Sequence, residues 1–428
     1  MSPRILDVSH DLKLKQVTSQ DAMPPKKRKP SLQLPQLPQP GEPSSSADPA
    51  TPNTPRKSRR IAGLSADSVG PVPLAGSSEL ERQPSGLSAL STQPEHEENW
   101  PELKQRAIAR VTAYEPSRGD DDKLVACLLA FLDWLPVGGR DSLARDIEQC
   151  GSDEGLYQQF NNLRSCLISA MKAFSQRSSN SGSPIVKRQD NAETVAAALP
   201  DPETRDSKFR AACLRRDNYR CVVTGHIDGE RWEELGEPED VMHADLEASH
   251  IIPFSTATWN DSSASITKDV SNFWETLFRC FPRVRSAGMR VKEINHPFNG
   301  ITLLDSIHKQ FGKFRLAFVA TDEKHVYSLK VYKFFASNCL NVLPRDRLVK
   351  FQAASDAEDI SLPCPDLLDC HYRLAEVLNA SGMARTLEDK INQWKDFGKD
   401  GGHGCLRADG TSNLEEYLSL GLWGTAGA

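Results

Sequence analysis

The sequence predicts an α+β protein in which a strand–strand–helix unit, with an inserted helix and an added β-hairpin, follows a helical block and a long disordered N-terminal tail. Three observations support this prediction. The first 95 residues hold 15 of the 28 prolines. Apolar residues recur at helical spacing through residues 97–175. Strand-like runs begin near residue 205, and six of the ten histidines fall within residues 205–335.

Residues 1–96 form the predicted disordered tail. Runs such as LPQLPQPGEPSSS carry too little apolar surface to offset the entropy lost on folding. The tail is basic, because residues 1–70 contain 11 Lys and Arg against 6 Asp and Glu, whereas the whole chain has a formal charge of −6. The stretch PPKKRKP places Lys26–Lys29 between prolines and is typical of a ligand for a nuclear import receptor. It predicts nuclear localisation; a solvated tail in a cytoplasmic protein is the alternative.

Residues 97–175 form the predicted helical block. The stretch DDDKLVACLLAFLDWLP begins with acids, which suit a helix N-terminus, and stops at Pro136. The stretch LYQQFNNLRSCLISAMKAF carries an apolar stripe at helical spacing, which indicates packing against the neighbouring helices. Residues 176–204, rich in Ser and Asn at their start, read as a linker.

No segment of the chain predicts a membrane or an export route. The longest apolar run, LVACLLAFL, is far shorter than the roughly 20 residues of a membrane span. The first residues, MSPRILDVSHDLKLK, are polar and charged, unlike a secretory signal. The ten cysteines show no framework spacing, so we expect reduced thiols in an intracellular protein.

The strand–strand–helix unit comes from two segments of residues 205–335. In ASHIIPF, His250 sits near the end of a strand that Pro253 interrupts. In HPFNGITLLDSIHKQF, Asn299 precedes the strand ITLL, and a helix starting near Asp305 carries His308. Two short basic stretches, LRRDNYR (214–220) before the unit and RVRSAGMRVK (283–292) between its strands, are predicted to neutralise nucleic-acid phosphates.

Further elements extend this unit. Between its two strands, a stripe of apolar residues at helical spacing predicts an inserted helix; it consists of Phe273, Trp274, Leu277, Phe278 and Phe281. After the unit, FRLAFVATDEKHVYSLKVYKF alternates as a β-hairpin does. Residues 336–428 read as mixed and mostly helical, with one helix in PDLLDCHYRLAEVLNASG and a short one in LEEYLSLGLW.

The order His250, Asn299, His308, together with HIIPF, NGITLL and HKQFGKF, resembles the HNH endonucleases in the form found in many fungal proteins. The resemblance covers residues 215–318. It implies a ββα-metal unit that hydrolyses DNA phosphodiester bonds with a divalent metal ion, Mg²⁺ or Mn²⁺. It also implies that His250 is the general base, that His308 ligates the metal, and that Asn299 orients the loop. A neutral imidazole suits the base because its ordinary pKa lies near physiological pH.

Two positions depart from the family pattern. Many HNH sites have an acid immediately before the first histidine, where this chain has Ser249, and a second ligand four residues after the last histidine, where it has Gly312. The nearby acids Glu247, Asp245 and Asp305 receive no role from the sequence. Two alternatives therefore remain: a degenerate HNH module that binds nucleic acid without cleaving it, and a protein-interaction scaffold.

Structural zinc is not predicted. HNH domains often carry Cys-x-x-Cys near the first strand, but here Thr224 stands where a second cysteine would follow Cys221. Other Cys and His residues lie close together in sequence but match no zinc spacing; they are Cys364, Cys370, His371, His403 and Cys405.

Overall fold

The protein combines helices with three small β-sheets in a computed structural model that describes residues 99–172, 186–204, 206–258 and 264–389. All of these residues belong to one unit, Glu79–Ala428. The predicted tail, residues 1–96, and the predicted terminal helix in LEEYLSLGLW lie outside the described residues. Within the described ranges, no helix is both long and apolar enough to cross a membrane.

The helical block contains four successive helices. Their bounds are α1, Trp100–Thr112; α2, Leu124–Trp134; α3, Gly139–Gln149; and α4, Asp153–Asn162. Helix α4 begins at an N-cap serine, Ser152, which accepts a hydrogen bond from the Gly155 N–H, and it continues as a π-helix over Leu163–Ser169. The predicted apolar stripe is buried at Leu156, Phe160, Leu163 and Leu167.

The segment that we interpreted as a linker contains a fifth helix, α5, Val186–Ala197. Ala192 and Val195 are buried on it, and α5 packs against the inserted helix described below. The linker interpretation was therefore wrong for residues 186–197. Small apolar residues among polar ones give a weak amphipathic pattern, and tertiary packing stabilises this helix.

The predicted strand–strand–helix order is present at its predicted place. Helix α6, Ser207–Arg216, precedes two short strands. Strand β1, Ile227–Asp228, is followed by helix α7, Gly229–Glu234. Strand β2, His243–Ala244, then pairs parallel with β1. Strand β3, Leu246–His250, then pairs antiparallel with β4, Gly300–Leu304, so that His250 lies opposite Gly300. Helix α10, Asp305–Gly312, follows β4 directly and packs on both strands.

The inserted helix and the β-hairpin are also present. Between β3 and β4 lie helix α8, Ala264–Cys280, and the short helix α9, Pro282–Ser286. Strands β5, Leu316–Ala320, and β6, Val326–Val331, form the antiparallel hairpin. The sequence did not predict the third strand of this sheet, β7, Leu348–Lys350, which pairs with β6. Helix α11, Pro365–Ala380, packs against β5 and against α2 of the helical block.

Candidate active site

His250 ends strand β3 and is held between an aromatic ring and an amide. Its imidazole stacks on Phe209 of α6, with ring centroids 4.0 Å apart and planes 15° apart. Its Nε2 atom lies 3.2 Å from the side-chain oxygen of Asn295. After His250 the chain buries Ile251 and Ile252 and turns at Pro253. The strand end therefore positions the imidazole far more firmly than a surface loop would.

Gly300 makes the stacking on His250 possible. It lies opposite His250 in the ladder, where helix α6 comes closest to the sheet. A Cβ atom at this position would lie 2.5 Å from the Cys213 sulfur and 2.7 Å from the Phe209 ring. Gly300 is thus required by the close packing of helix α6 on the sheet.

Asn299 connects the two chain segments on either side of the site. Its side chain is fully buried. Its Nδ2 donates to the carbonyl oxygens of Ile252 and Ile294, at 3.0 and 2.9 Å, and its Oδ1 accepts from the Ile252 N–H at 2.8 Å. The Asn299 carbonyl also accepts from the Ile251 N–H. These bonds hold the backbone that follows His250.

Asn295 defines which nitrogen of His250 carries the proton. Its Nδ2 donates to the Thr204 carbonyl at 2.9 Å, which directs its oxygen toward the His250 ring. An amide oxygen only accepts, so His250 Nε2 must be the donor. The neutral imidazole then has its lone pair on Nδ1. The sequence analysis assigned no role to Asn295, because its position depends on the fold of the long connection between β3 and β4.

His308 of helix α10 pairs with Glu247 of strand β3. His308 lies in the first half of α10, and its Nδ1 contacts the Glu247 carboxylate. Glu247 alternates with Ser249 along β3 and therefore shares a strand face with it. The structure gives Glu247 the partner that the sequence could not assign.

The comparison with protein families identifies this region. Residues 221–319 match a family model described as HNH endonuclease. The chain thus contains an HNH domain. The matched range contains His250, Asn299 and His308, and it implies a nucleic-acid substrate and nuclease-type chemistry. Comparisons with curated proteins and with solved structures found no significant match.

HNH nucleases usually use a divalent metal ion, and His308 with Glu247 fits one. A carboxylate that accepts from Nδ1–H holds the neutral ring with its lone pair on Nε2, which is the usual arrangement around a metal-bound histidine. Ser249 is buried and Gly312 ends α10, so neither contributes an acid or an imidazole. Among the described residues, no group of three or more His, Cys, Asp or Glu side chains converges on one point.

A buried ion pair attaches helix α6 to the HNH site. Arg216 is fully buried and forms two 2.8 Å bonds with the Asp217 carboxylate. The same guanidinium donates to the carbonyls of Pro297 and Gly300, at 2.7 and 2.9 Å, and Asp217 accepts from the Thr302 N–H at 3.1 Å. Arg216 therefore positions the turn that contains Asn299.

One arginine of the basic stretch LRRDNYR is buried and does not face a nucleic acid as predicted. Arg216 is buried in the network above, and Arg215 lies 3.5 Å from Asp359. Arg220 donates to the Gly225 carbonyl within its own turn. The prediction was wrong for Arg216, because a guanidinium that satisfies buried backbone carbonyls is indistinguishable in sequence from an exposed one.

Proposed function

We propose that this protein is a divalent-metal-dependent endonuclease that hydrolyses DNA phosphodiester bonds. The main support for the proposal is that His250 is held in one orientation. Phe209 fixes the plane of its ring, and Asn295 accepts from Nε2, so that Nδ1 is the proton acceptor. A general base needs this combination of fixed position and defined tautomer.

In the proposed reaction, His250 Nδ1 takes a proton from a water molecule as the water oxygen attacks phosphorus. A new P–O bond forms while the P–O bond in line with it breaks. The leaving oxygen takes a proton from solvent, which yields a phosphate monoester and a free hydroxyl group. Asn295 and Asn299 are positioning residues, because they hold the ring and its backbone without contacting the reacting atoms.

His308 is the proposed protein ligand of the divalent cation. When bound, the cation would neutralise charge on the scissile phosphate. Nε2 of His308 is the ligand atom in this proposal, and Glu247 is a positioning residue that accepts from Nδ1. A site with so few protein ligands suits Mg²⁺ or Mn²⁺, which commonly keep several waters.

Plasmid nicking by the full-length protein tests the proposal. We expect nicking with Mg²⁺ or Mn²⁺, its loss in EDTA, and its loss in both His250→Ala and His308→Ala. His243→Ala is the matched control, because His243 is exposed, its ring stacks on Trp232 with centroids 3.9 Å apart, and the proposed reaction gives it no role. Nicking that persists in His250→Ala would rule out the assigned base.

The role of Glu247 has a separate readout. Glu247→Gln keeps the shape of the side chain but removes the charge that orients His308. We expect Mn²⁺ affinity, measured by titration calorimetry, to fall by about 10-fold to 100-fold. The Mn²⁺ concentration for half-maximal nicking should rise in parallel. Unchanged affinity would mean that Glu247 does not position a metal ligand.

The absence of an acid at Ser249 and of a ligand at Gly312 favours one second candidate. In it, the HNH domain binds DNA without cleaving it. A gel-shift assay run beside the nicking assay separates the two candidates. A protein that only binds DNA would shift it in EDTA, would shift it equally well as the His250→Ala variant, and would not nick it. A scaffold, the third possibility, would neither shift nor nick DNA.

We also propose that Lys26–Lys29 binds an import receptor and directs the protein to the nucleus. Four consecutive cations between prolines support this, because such a compact Lys/Arg run is typical of nuclear localisation signals. A fluorescent fusion of the full chain should accumulate in nuclei. The same fusion with these four residues changed to alanine should remain in the cytoplasm; equal nuclear signal in both would refute the role.

A further inference from the structure

The basic segment 283–292 contains a tight turn with an arginine on each side. Helix α9 ends in a turn where Gly288 has a φ of +89°, the Gly288 N–H donates to the Arg285 carbonyl, and the Met289 N–H donates to the Val284 carbonyl. Val284 and Met289 are buried beneath the turn. This geometry returns the chain on itself, and Arg290 comes close enough to Arg285 to lower the pKa of its guanidinium, in addition to the larger effect of burial.

Neither arginine has an anionic partner among the described residues. Arg285 is half-buried, with its guanidinium 5.6 Å from the centre of the Phe278 ring. Its Nη2 atom is buried without a hydrogen-bond partner. Two neighbouring cations and a buried unpaired donor are costly in a folded protein, and a bound anion removes both costs. By contrast, Arg215, Arg216 and Arg220 are engaged within the protein.

The turn is directly connected to the candidate active site. The short helix after it, Val291–Glu293, packs against Phe254–Ala257, which follows His250 in the chain. Two residues further on, Asn295 accepts from the His250 ring. The indole N–H of Trp274 donates to the Thr256 carbonyl at 3.0 Å and anchors this region to α8. Arg290 therefore precedes, by five residues, the Asn295 side chain that accepts from His250, on a segment packed against the chain that follows His250.

We propose that Arg285 and Arg290 together bind one backbone phosphate of the DNA substrate, adjacent to the scissile phosphodiester. The ligand class rests on the proposed function, whereas the site itself rests on the unpaired guanidiniums. Arginine suits this role because its planar fork of donors matches the oxygens of a phosphate. The buried Nη2 of Arg285 gains the acceptor that it lacks, and one phosphate charge offsets the repulsion between the two cations.

The test is binding of the full-length protein to a short DNA duplex in EDTA, across a range of salt concentrations. EDTA prevents cleavage, so the measurement does not depend on nuclease activity. We expect the double variant Arg285→Gln/Arg290→Gln to bind at least about tenfold more weakly and to lower the slope of log affinity against log salt by about 0.9, the value for one phosphate. Arg285→Lys/Arg290→Lys should keep most of the slope but lose affinity.

The matched control is Arg231→Gln/Arg385→Gln, which removes the same charge from two exposed arginines that pair along their own helices. Thermal melts of all variants establish that they are folded. Equal affinity and slope in the Arg285/Arg290 variant and the control would overturn the proposal even if the protein nicks DNA. If the protein never nicks DNA, but the slope of log affinity against log salt falls only in the Arg285/Arg290 variant, this phosphate site is supported and the proposed nuclease function is not. No binding of duplex DNA by the unaltered protein would overturn the site.

Discussion

At the scale of single residues, Asn299 makes the strongest local contribution to the site. Asn299→Ala would leave the Ile252 N–H and the Ile252 and Ile294 carbonyls without their partners in a buried environment. Each such loss costs about 1–3 kcal/mol, so we expect the free energy of unfolding to fall by about 3 kcal/mol or more. Urea denaturation measures this change, and nicking should be lost in parallel. Asn338→Ala, at an exposed site, is the control and should change stability little.

Gly300 gives a second prediction at this scale. In Gly300→Ala, the new Cβ atom would overlap the Phe209 ring that stacks on His250, because it would lie only 2.7 Å from that ring. We expect a loss of stability of about 1–3 kcal/mol and weaker nicking. Gly229→Ala serves as control, since nothing lies within 4 Å of its Cβ position. Unchanged nicking in folded Gly300→Ala would show that the stacking does not matter for catalysis.

The positions of some of these residues could be predicted from the sequence, and those of others could not. The roles of His250, Asn299 and His308 come from the family resemblance and stay predictions, but their places at a strand end, before a strand and on a helix were predicted because each lies in a stretch that can be recognised from its own residues. Glu247 and Asn295 were not, because their roles depend on which residue of a distant element faces them. The pairing of Glu247 with His308 follows from how α10 crosses the sheet, and no local pattern records that crossing.

At the scale of elements, helix α10 is fixed at its C-terminal end by a buried histidine of α11. His371 lies between the rings of Phe311 and Phe314, with centroids 3.8 and 4.3 Å away, and hydrogen-bonds to the Phe311 carbonyl through Nε2. Burial lowers the pKa of His371 to about 3. The neutral ring is therefore part of the packing that supports the helix of His308.

This burial makes stability depend on pH. In the unfolded chain His371 titrates near its ordinary pKa of about 6.5, so below that value the unfolded state binds a proton that the folded state refuses. The stabilising contribution is complete above pH 6.5 and is lost as the pH falls toward 3. Between pH 7 and pH 5 we expect a loss of about 2 kcal/mol from this group. Urea denaturation of His371→Phe should show a correspondingly smaller loss; an equal loss in both proteins would contradict the assignment.

Element prediction was weakest where packing, and not the local pattern, decides. Helix α5 occupies a segment that reads as a linker, and its few buried residues contact α8. Strand β7 is only three residues long and depends on pairing with β6. The inserted helix and the β-hairpin were predicted correctly because their apolar periodicity spans many residues.

At the scale of the whole described unit, the helical block and the HNH domain share one interior. The N-terminal turn of α3 contacts the end of α8 so closely that a Cβ atom at Gly139 would lie 1.9 Å from the Cys280 carbonyl oxygen. Beside this contact, Arg279 of α8 forms a 2.8 Å ion pair with Asp146 of α3, and Arg188 of α5 lies 3.3 Å from the same carboxylate. In the sequence these charges look like an ordinary solvated surface, so the packing could not be predicted.

The shared interior predicts that the two parts unfold together. Asp146→Ala would leave Arg279 and Arg188 buried without their common partner, and breaking a buried pair in this way costs about 3–5 kcal/mol. We expect one cooperative transition at a lower denaturant concentration, with nicking lost in the same transition. Asp133→Ala breaks an exposed pair with Lys104 and should cost at most about 1 kcal/mol. A separate early transition of the helical block, after which the protein still nicks DNA, would show that the HNH domain folds without the block and that the buried pair does not couple them.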